Sequence, residues 1–551
     1  MQDLWYKTAV IYCVDVEKYA DSDGDGVGDL RGLTEKLDHI AGLGATCLWL
    51  LPFFVSPRKD NGYDVVDYYC VDPRLGTLRD FSVLVKEAGE RGMRVMIDLV
   101  MAHTSDEHPW FLAARRDRRS RYRGYYLWAD SPPAVPLGAT TAFPGEDDRL
   151  WTYDEVAGAY YYHRFYRFQP QLDFRNPEVR REAEAVMDFW LAMGVSGFRM
   201  DALPVLVGPD PALPGHRDTH GWLRRIRERV SQQRPDTALL GEVDLDTEQL
   251  VEYFGDGDEM NMLFGFFLNG HIWLAVAGED KEPLLKALGQ LPAGPPGCQW
   301  VNFLRNLDEL NLSWLSPDDR ALVYGRFAPD EGMRAYGRGI RRRLSPMLGD
   351  PRLVELAWAL TFSLPGAPLI VYGDEIGLGD DLGADGRAAV RVPMQWSSAR
   401  NGGFSTARPG HLVRPVVSKG AFSYRRVNVE RQSGDPSSRL SFMRRLIAAW
   451  RACPEFALGR WHPFDTGARE VMAHHCVWKD GHVVAVHNLS HRPSGIRFDV
   501  RDHRSRLLQP VFGEAEEREV SEGVWDVALG PYGYRWYRVT YAATGEVPDS
   551  W

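Results

Sequence analysis

Carboxylates recur near the ends of short apolar runs in this chain. RVMIDLVMAH, from Arg94, carries Asp98 and His103. GFRMDAL, from Gly197, carries Arg199 and Asp201, and ALLGEVD, from Ala238, carries Glu242. WVNFLRNLDE, from Trp300, carries Asp308, and Tyr63 with Asp64 sits in the loop region after ATCLWLLP, from Ala45. One acid at a strand end is ordinarily a helix cap or half of a salt bridge. Four runs ending this way need another reason, and glycoside chemistry supplies one. Cleavage with retention needs one carboxylate to attack the anomeric carbon and a second, about 5–5.5 Å away, to protonate the leaving oxygen. Arg199 lies two residues before Asp201, on the same face of a strand, and a neighbouring cation is expected to hold that carboxylate ionised. Glu242 follows ALLG, where desolvation is expected to keep its proton near neutrality. Asp308 would grip sugar hydroxyls and favour charge in an oxocarbenium-like transition state.

Such a set works only if distant parts of the chain converge. Three further β-rich runs, AVIYCVDV from Ala9, MNMLFGFF from Met260 and APLIVYGDE from Ala367, bring the number to eight. Amphipathic stretches separate them, among them NPEVRREAEAVMDFWLAM, which opens on Asn176-Pro177 as a helix start does. Eight βα units closing into a (β/α)₈ barrel is the economical α/β reading, with the site at the C-terminal ends of the strands. Residues 104–173 exceed any ordinary βα loop and predict an inserted domain after the third strand. Beyond Pro454 the helical period gives way to alternating runs such as VMAHHCVW and HVVAVHNLS, predicting a C-terminal antiparallel β-sandwich. The barrel would then take residues 1–103 and 174–453, the insert 104–173 and the β-domain 454–551.

DSDGDGVGD suggests a metal loop. Carboxylates at Asp21, Asp23, Asp25 and Asp29, with the Val27 carbonyl, alternate as hard oxygen donors around a Gly-rich turn. Position 12 of an EF-hand would be Gly32 rather than Glu, so this is no EF-hand. The expected ion is a structural Ca²⁺, with Mg²⁺ the alternative. No organic cofactor is expected.

The formal charge of −11 over 551 residues, with no block of like charges, argues against a nucleic-acid backbone as partner. The short basic stretch RGIRRR, residues 338–343, reads as a solvated helix face. No signal-like start and no apolar stretch of bilayer length are present, so no membrane is expected and a cytoplasmic location fits. Six scattered cysteines, none in C-x-x-C, fit reduced thiols. A homo-oligomer is left open.

DLVMAH (98–103), GFRMDAL (197–203), GEVD (241–244) and FLRNLDE (303–309) resemble the four signature regions of the α-amylase family, glycoside hydrolase family 13. QPQLDF from Gln169 resembles its fifth region. The likeness runs from Trp5 to about Val539 and is nearest to the trehalose synthases. It implies Asp201 as the residue forming a β-glucosyl-enzyme, Glu242 as acid/base and Asp308 as transition-state stabiliser. It further implies a glucose subsite of Asp64, His103 and Arg199 with Tyr63 as platform, and Arg391, in VRVPMQW, on the acceptor side. The implied substrate is a small α-glucoside of the maltose or trehalose kind.

Two departures stand out. Leu307 replaces the family's His between Asn and Asp, and Ala102 replaces an Asn that serves as a calcium ligand. Losing one transition-state donor typically costs about 10²–10³ in rate. Either the enzyme is slow on ordinary glucosides, or its substrate carries an altered group against Leu307. An α-glucosidase or transglucosylase is therefore an alternative to an isomerase. A barrel serving only as a sugar-binding or partner subunit is a third reading, opposed by the complete Asp201, Glu242 and Asp308 trio.

Overall fold

The computed structural model describes residues 4–134, 141–146, 148–207, 220–499, 505–514, 518–519 and 524–541. Eight parallel strands form a closed barrel: β1 Ile11–Val14, β2 Cys47–Leu50, β3 Arg94–Leu99, β4 Gly197–Met200, β5 Ala238–Gly241, β6 Met262–Phe264, β7 Gln299–Phe303 and β8 Ala367–Val371. Seven lie within the apolar runs, and β7 starts at Gln299, one residue before its run. Each strand pairs with its sequence neighbours, and β8 closes on β1 through Ile11 opposite Leu369. Strand residues are almost all buried, because helices cover the outside and side chains fill the interior.

Local chemistry fixes the helices. Asn176 accepts from the Glu178 amide and Pro177 takes the first turn, so Pro177–Ala192 starts where the Asn-Pro pair predicts. Thr77 and Asp80 form a capping box on Leu78–Glu90. The run MNMLFGFF divides: β6 ends at Phe264, and Phe266–Gly278 is a buried helix. A short apolar run does not by itself distinguish strand from helix. Gly197 is set by strand packing, since a Cβ there would lie 2.8 Å from the Ala238 carbonyl oxygen of β5.

Between β3 and β4 the chain makes helix Pro109–Arg116 and a three-stranded antiparallel sheet of Trp128–Ala129, Trp151–Asp154 and Ala159–Tyr162. A second small sheet follows β7, with strands Leu310–Asn311, Arg334–Ala335 and Gly339–Ile340. The C-terminal part is an antiparallel β-domain that shows, among the described residues, one six-stranded and one two-stranded sheet. It packs on helix Pro351–Ser363, where His474 Nε2 lies 2.9 Å from the Ser363 carbonyl oxygen. No helix among the described residues is long and apolar enough to cross a membrane.

RGIRRR is not a helix face. Gly339–Ile340 is a strand, and Arg343 is fully buried, donating to the Val390 and Tyr372 carbonyls and pairing with Asp374 at 3.2 Å. Hydrogen-bonded carbonyls and one carboxylate, rather than solvent, accommodate that cation.

Candidate active site

The ladder carries the strand-end carboxylates outward. Asp201 continues β4 with its amide on the Leu99 carbonyl, and Glu242 continues β5 with its amide on the Met200 carbonyl. Adjacent strand ends therefore hold the two acids. Inside the barrel Asp98 and Arg199 are register partners across β3 and β4. Arg199 Nη1 donates to Asp98 (2.6 Å) and Asp201 (2.5 Å), while Nη2 pairs with Glu242 (2.5 Å). Ala202 has φ 44°, a left-handed conformation uncommon for a residue with a Cβ, and its amide donates to Glu242 Oε2 at 2.9 Å.

Asp308 lies in the loop after β7. Buried Arg305 shapes that loop by donating to the Asn306, Arg342 and Asp308 carbonyls. The Asp308 carboxylate accepts from Arg387 (2.6 Å) and Arg391 (2.7 Å), and Arg387 also pairs with Asp60 at 2.7 Å. Gln169 donates to the same Asp60 carboxylate.

A cavity of about 420 Å³ opens over these groups, lined by Asp60, Tyr63, His103, Asp201, Glu242, Asp308 and Arg387 among others. Phe143 and Phe165 reach it from the insert, and Asn311 and Arg338 from the sheet after β7. Arg199 lines a smaller nook beneath it with Leu307, Trp49 and Phe303. Of the residues read from the sequence, Asp64 and Arg391 do not line the cavity. The Asp64 carboxylate is turned into its own loop, accepting from Ser56 Oγ and the Lys59 and Asp60 amides. The acid at the cavity is Asp60, four residues earlier. Arg391 is fully buried behind Asp308, its donors on Asp308 and the Leu307 carbonyl.

Burial decides the protonation pattern. It raises Glu242 to about 7 against the pull of Arg199. Burial also raises Asp201, and the Asp98 and Asp308 charges add to it, so Arg199 does not hold Asp201 below the usual carboxylate range as expected. One guanidinium shared among Asp98, Asp201 and Glu242 cannot compensate all three desolvated acids. Asp308 goes the other way: burial would raise it, but Arg387, Arg391 and Arg199 outweigh that and hold it ionised. Burial lowers His103 to about 4, so its ring is neutral near pH 7. With His103 Nε2–H donating to the Tyr63 carbonyl (3.0 Å), Nδ1 is left as an acceptor.

The catalytic-domain model described as Alpha amylase, catalytic domain matches residues 13–281 and 341–457, and Sucrose hydrolase-like, C-terminal domain matches residues 481–538. The chain belongs to the alpha-amylase family. It is 41% identical to the trehalose synthase of Pimelobacter sp. (strain R48), over 97% of this chain and 96% of that protein. It is 40% identical to the trehalose synthase/amylase TreS of Mycobacterium tuberculosis (strain ATCC 25618 / H37Rv), over 99% of this chain and 92% of that one. Among solved structures, the trehalulose synthase MutB from Pseudomonas mesoacidophila MX-45 superposes with a TM-score of 0.77 at 26% identity, covering 97% of this chain and 99% of that chain. The chain is thus an alpha-amylase-family enzyme homologous to trehalose synthases.

At the family's departures the side chains are apolar and buried. Leu307 packs in the nook with Trp49, Phe264, Phe266 and Phe303 and presents no donor. Ala102 is buried, with its carbonyl accepting from the Leu172 amide. In the DSDGDGVGD loop, oxygens of Asp21, Asp23 and Asp29 lie within 4.8 Å of one another. Asp25 is not in that group and accepts from the Val27 amide at 2.7 Å. Gly24 and Gly26 take φ of 83° and 102°, and a Cβ on Gly26 would lie 2.1 Å from the His411 carbonyl oxygen. An acidic oxygen set on so tight a turn fits a hard cation.

Arg387, Asp60 and Asp98 carry much of this arrangement, and the sequence reading assigned none of them a role. Arg387 stands four residues before Arg391 in GRAAVRVPMQW, and that spacing was the available signal.

Proposed function

We propose that this chain rearranges small α-glucosides of the maltose and trehalose kind by double displacement through a β-glucosyl-enzyme. The observation that carries the reading is the single Arg199 guanidinium joining Asp201 and Glu242 beneath a sugar-sized cavity. Asp201 is the nucleophile. As its oxygen attacks the anomeric carbon, Glu242 gives its proton to the departing glycosidic oxygen. An incoming hydroxyl then forms the new bond while the Asp201–carbon bond breaks, and its proton returns to Glu242. Ionised Asp308 stabilises positive charge on the ring. Asp60, Tyr63 and His103 bind the glucosyl unit, Arg199 positions the two acids, and Arg391 positions Asp308 from behind. Asp21, Asp23 and Asp29, with Asp25 and Val27 beside them, would hold a structural Ca²⁺, which would neutralise their charge and tie that turn down.

The names of the homologues support the isomerase reading, and the alpha-amylase fold supports the chemistry. A panel of disaccharides with product analysis tests it. An isomeric disaccharide from maltose is the expected result, and no turnover of any α-glucoside would overturn it.

One observation favours a second reading. Leu307 closes the nook beside Asp308 with apolar carbon rather than a donor. An α-glucosidase or transglucosylase for a glucoside lacking a hydroxyl at that wall would use this surface better.

A further inference from the structure

The loop between strands Phe54–Val55 and Asp67–Val71 brings Asp60 to the cavity, and its backbone there is held against its own preference. Arg58 and Asn61, on either side of Asp60, have φ of 59° and 51°. A residue with a Cβ keeps that left-handed conformation only where its surroundings over-determine it. The Arg58 amide donates to Ser56 Oγ (2.8 Å), and its Nη2 reaches forward to the Asn61 carbonyl (3.4 Å), so one side chain spans Asp60. Its Nε pairs with Glu17 at 2.6 Å, and both side chains are buried.

Glu17 is a fixed post. It lies in the one-turn helix Val16–Tyr19 that follows β1, and its carbonyl accepts from the Gly28 amide (2.7 Å). There is no slack behind it, since a Cβ on Gly28 would lie 2.3 Å from the Val16 carbonyl oxygen. Its carboxylate also takes Lys18 Nζ (2.5 Å), which in turn pairs with Asp15 (2.9 Å). Burial would raise Glu17, but Lys18 and Arg58 outweigh that and hold it ionised. Neither Glu17 nor Arg58 lines the cavity.

We infer that Arg58 is a positioning residue: paired to Glu17, it holds Asp60 toward the cavity and thereby sets the affinity for the glucosyl unit. The inference deepens the subsite proposed above and rests on Asp60 binding that unit. Without the guanidinium the backbone at residues 58 and 61 relaxes toward ordinary φ, and Asp60 turns with it.

Glucose is the probe, because it fills the glucosyl subsite without reacting, and its Kd is read by calorimetry for wild type, Arg58→Leu and Arg58→Lys. Loss of folded protein lowers the number of binding sites and leaves Kd alone, whereas a displaced Asp60 raises Kd. The expected result is a Kd about tenfold higher in Arg58→Leu, the factor set by one charge-assisted hydrogen bond. Arg58→Lys, which keeps the pair to Glu17, falls between the two. On an Asp60→Ala background Arg58→Leu should add less than about twofold, since both act through one group. Glu17→Gln, which loosens the pair from the other side, gives a rise in the same direction and serves where Arg58→Leu does not fold. An unchanged Kd in a folded Arg58→Leu or Glu17→Gln overturns the inference, as does the full effect persisting without Asp60 or a wild type with no affinity for glucose. A wild type that shows the expected pattern yet turns over no α-glucoside overturns the double displacement and leaves the positioning role standing.

Discussion

Arg199 and Glu242 meet at 2.5 Å, Nη2 to Oε1, while the other terminal nitrogen of the same guanidinium serves Asp98 and Asp201. A cation so placed would ordinarily strip the proton from a carboxyl group. Here it is divided among buried Asp98, buried Asp201 and partly exposed Glu242, and desolvation prevails at Glu242. The arrangement separates the roles: Glu242 keeps a proton to give, and Asp308, gripped by two arginines of its own, keeps none.

The pH profile follows. In the proposed double displacement Glu242 acts in its protonated form, so kcat/KM should fall as pH rises through about 7. The same raised value bears on stability. Between about 4.5 and about 7 the folded state binds more protons at this group than the unfolded chain, so its contribution is full below 4.5 and is lost as pH rises through 7. Glu242→Gln removes that loss and should be more stable than wild type at pH 8, by up to roughly 3 kcal/mol, with the gain vanishing near pH 4. Thermal melts at the two pH values check this; a gain independent of pH would contradict it.

Asp60 and Asp64 should behave oppositely. Asp60→Ala removes a cavity acid and should lower kcat/KM by about 10²-fold with a modest change in melting temperature. Asp64→Ala strands the Ser56 hydroxyl and two loop amides and should destabilise by about 3 kcal/mol. Steady-state kinetics and melts on both variants decide. Equal kinetic damage with no loss of stability in Asp64→Ala would return Asp64 to the sugar.

Leu307→His is the discriminating substitution for substrate. If ordinary glucosides are the substrates, a donor at that wall should raise kcat/KM on maltose or trehalose by about tenfold or more. A flat or lower value favours the glucoside with an altered group.

Removing the loop cation should lower the melting temperature by about 3 °C or more and leave kcat unaltered at temperatures where the fold holds. Chelator titration followed by calcium add-back reads this directly. A melting curve indifferent to both contradicts the metal assignment.

The barrel was legible because each strand is an apolar run bounded by helix signals, as Asn176-Pro177 shows at the start of one helix. The strand-end acids were legible for the same reason, since β4 and β5 deliver Asp201 and Glu242 within a residue or two of their last ladder positions. What escaped the sequence were relations across the chain. The loop that turns Asp64 inward and Asp60 toward the cavity has no periodicity to read. RGIRRR looks solvated until Asp374 and two carbonyls arrive from residues 372–390 to bury Arg343. The competition at Arg199 depends on three acids from three strands, which pair spacing in one strand cannot reveal.

The central claim is that Asp201 becomes bonded to the sugar. A 5-fluoro-α-glucosyl fluoride slows the second displacement and lets the intermediate accumulate. Peptide mass mapping of the inactivated enzyme should then place one glucosyl adduct on Asp201, absent from Asp201→Asn. An adduct on another carboxylate, or turnover with inversion and no adduct, would contradict the account.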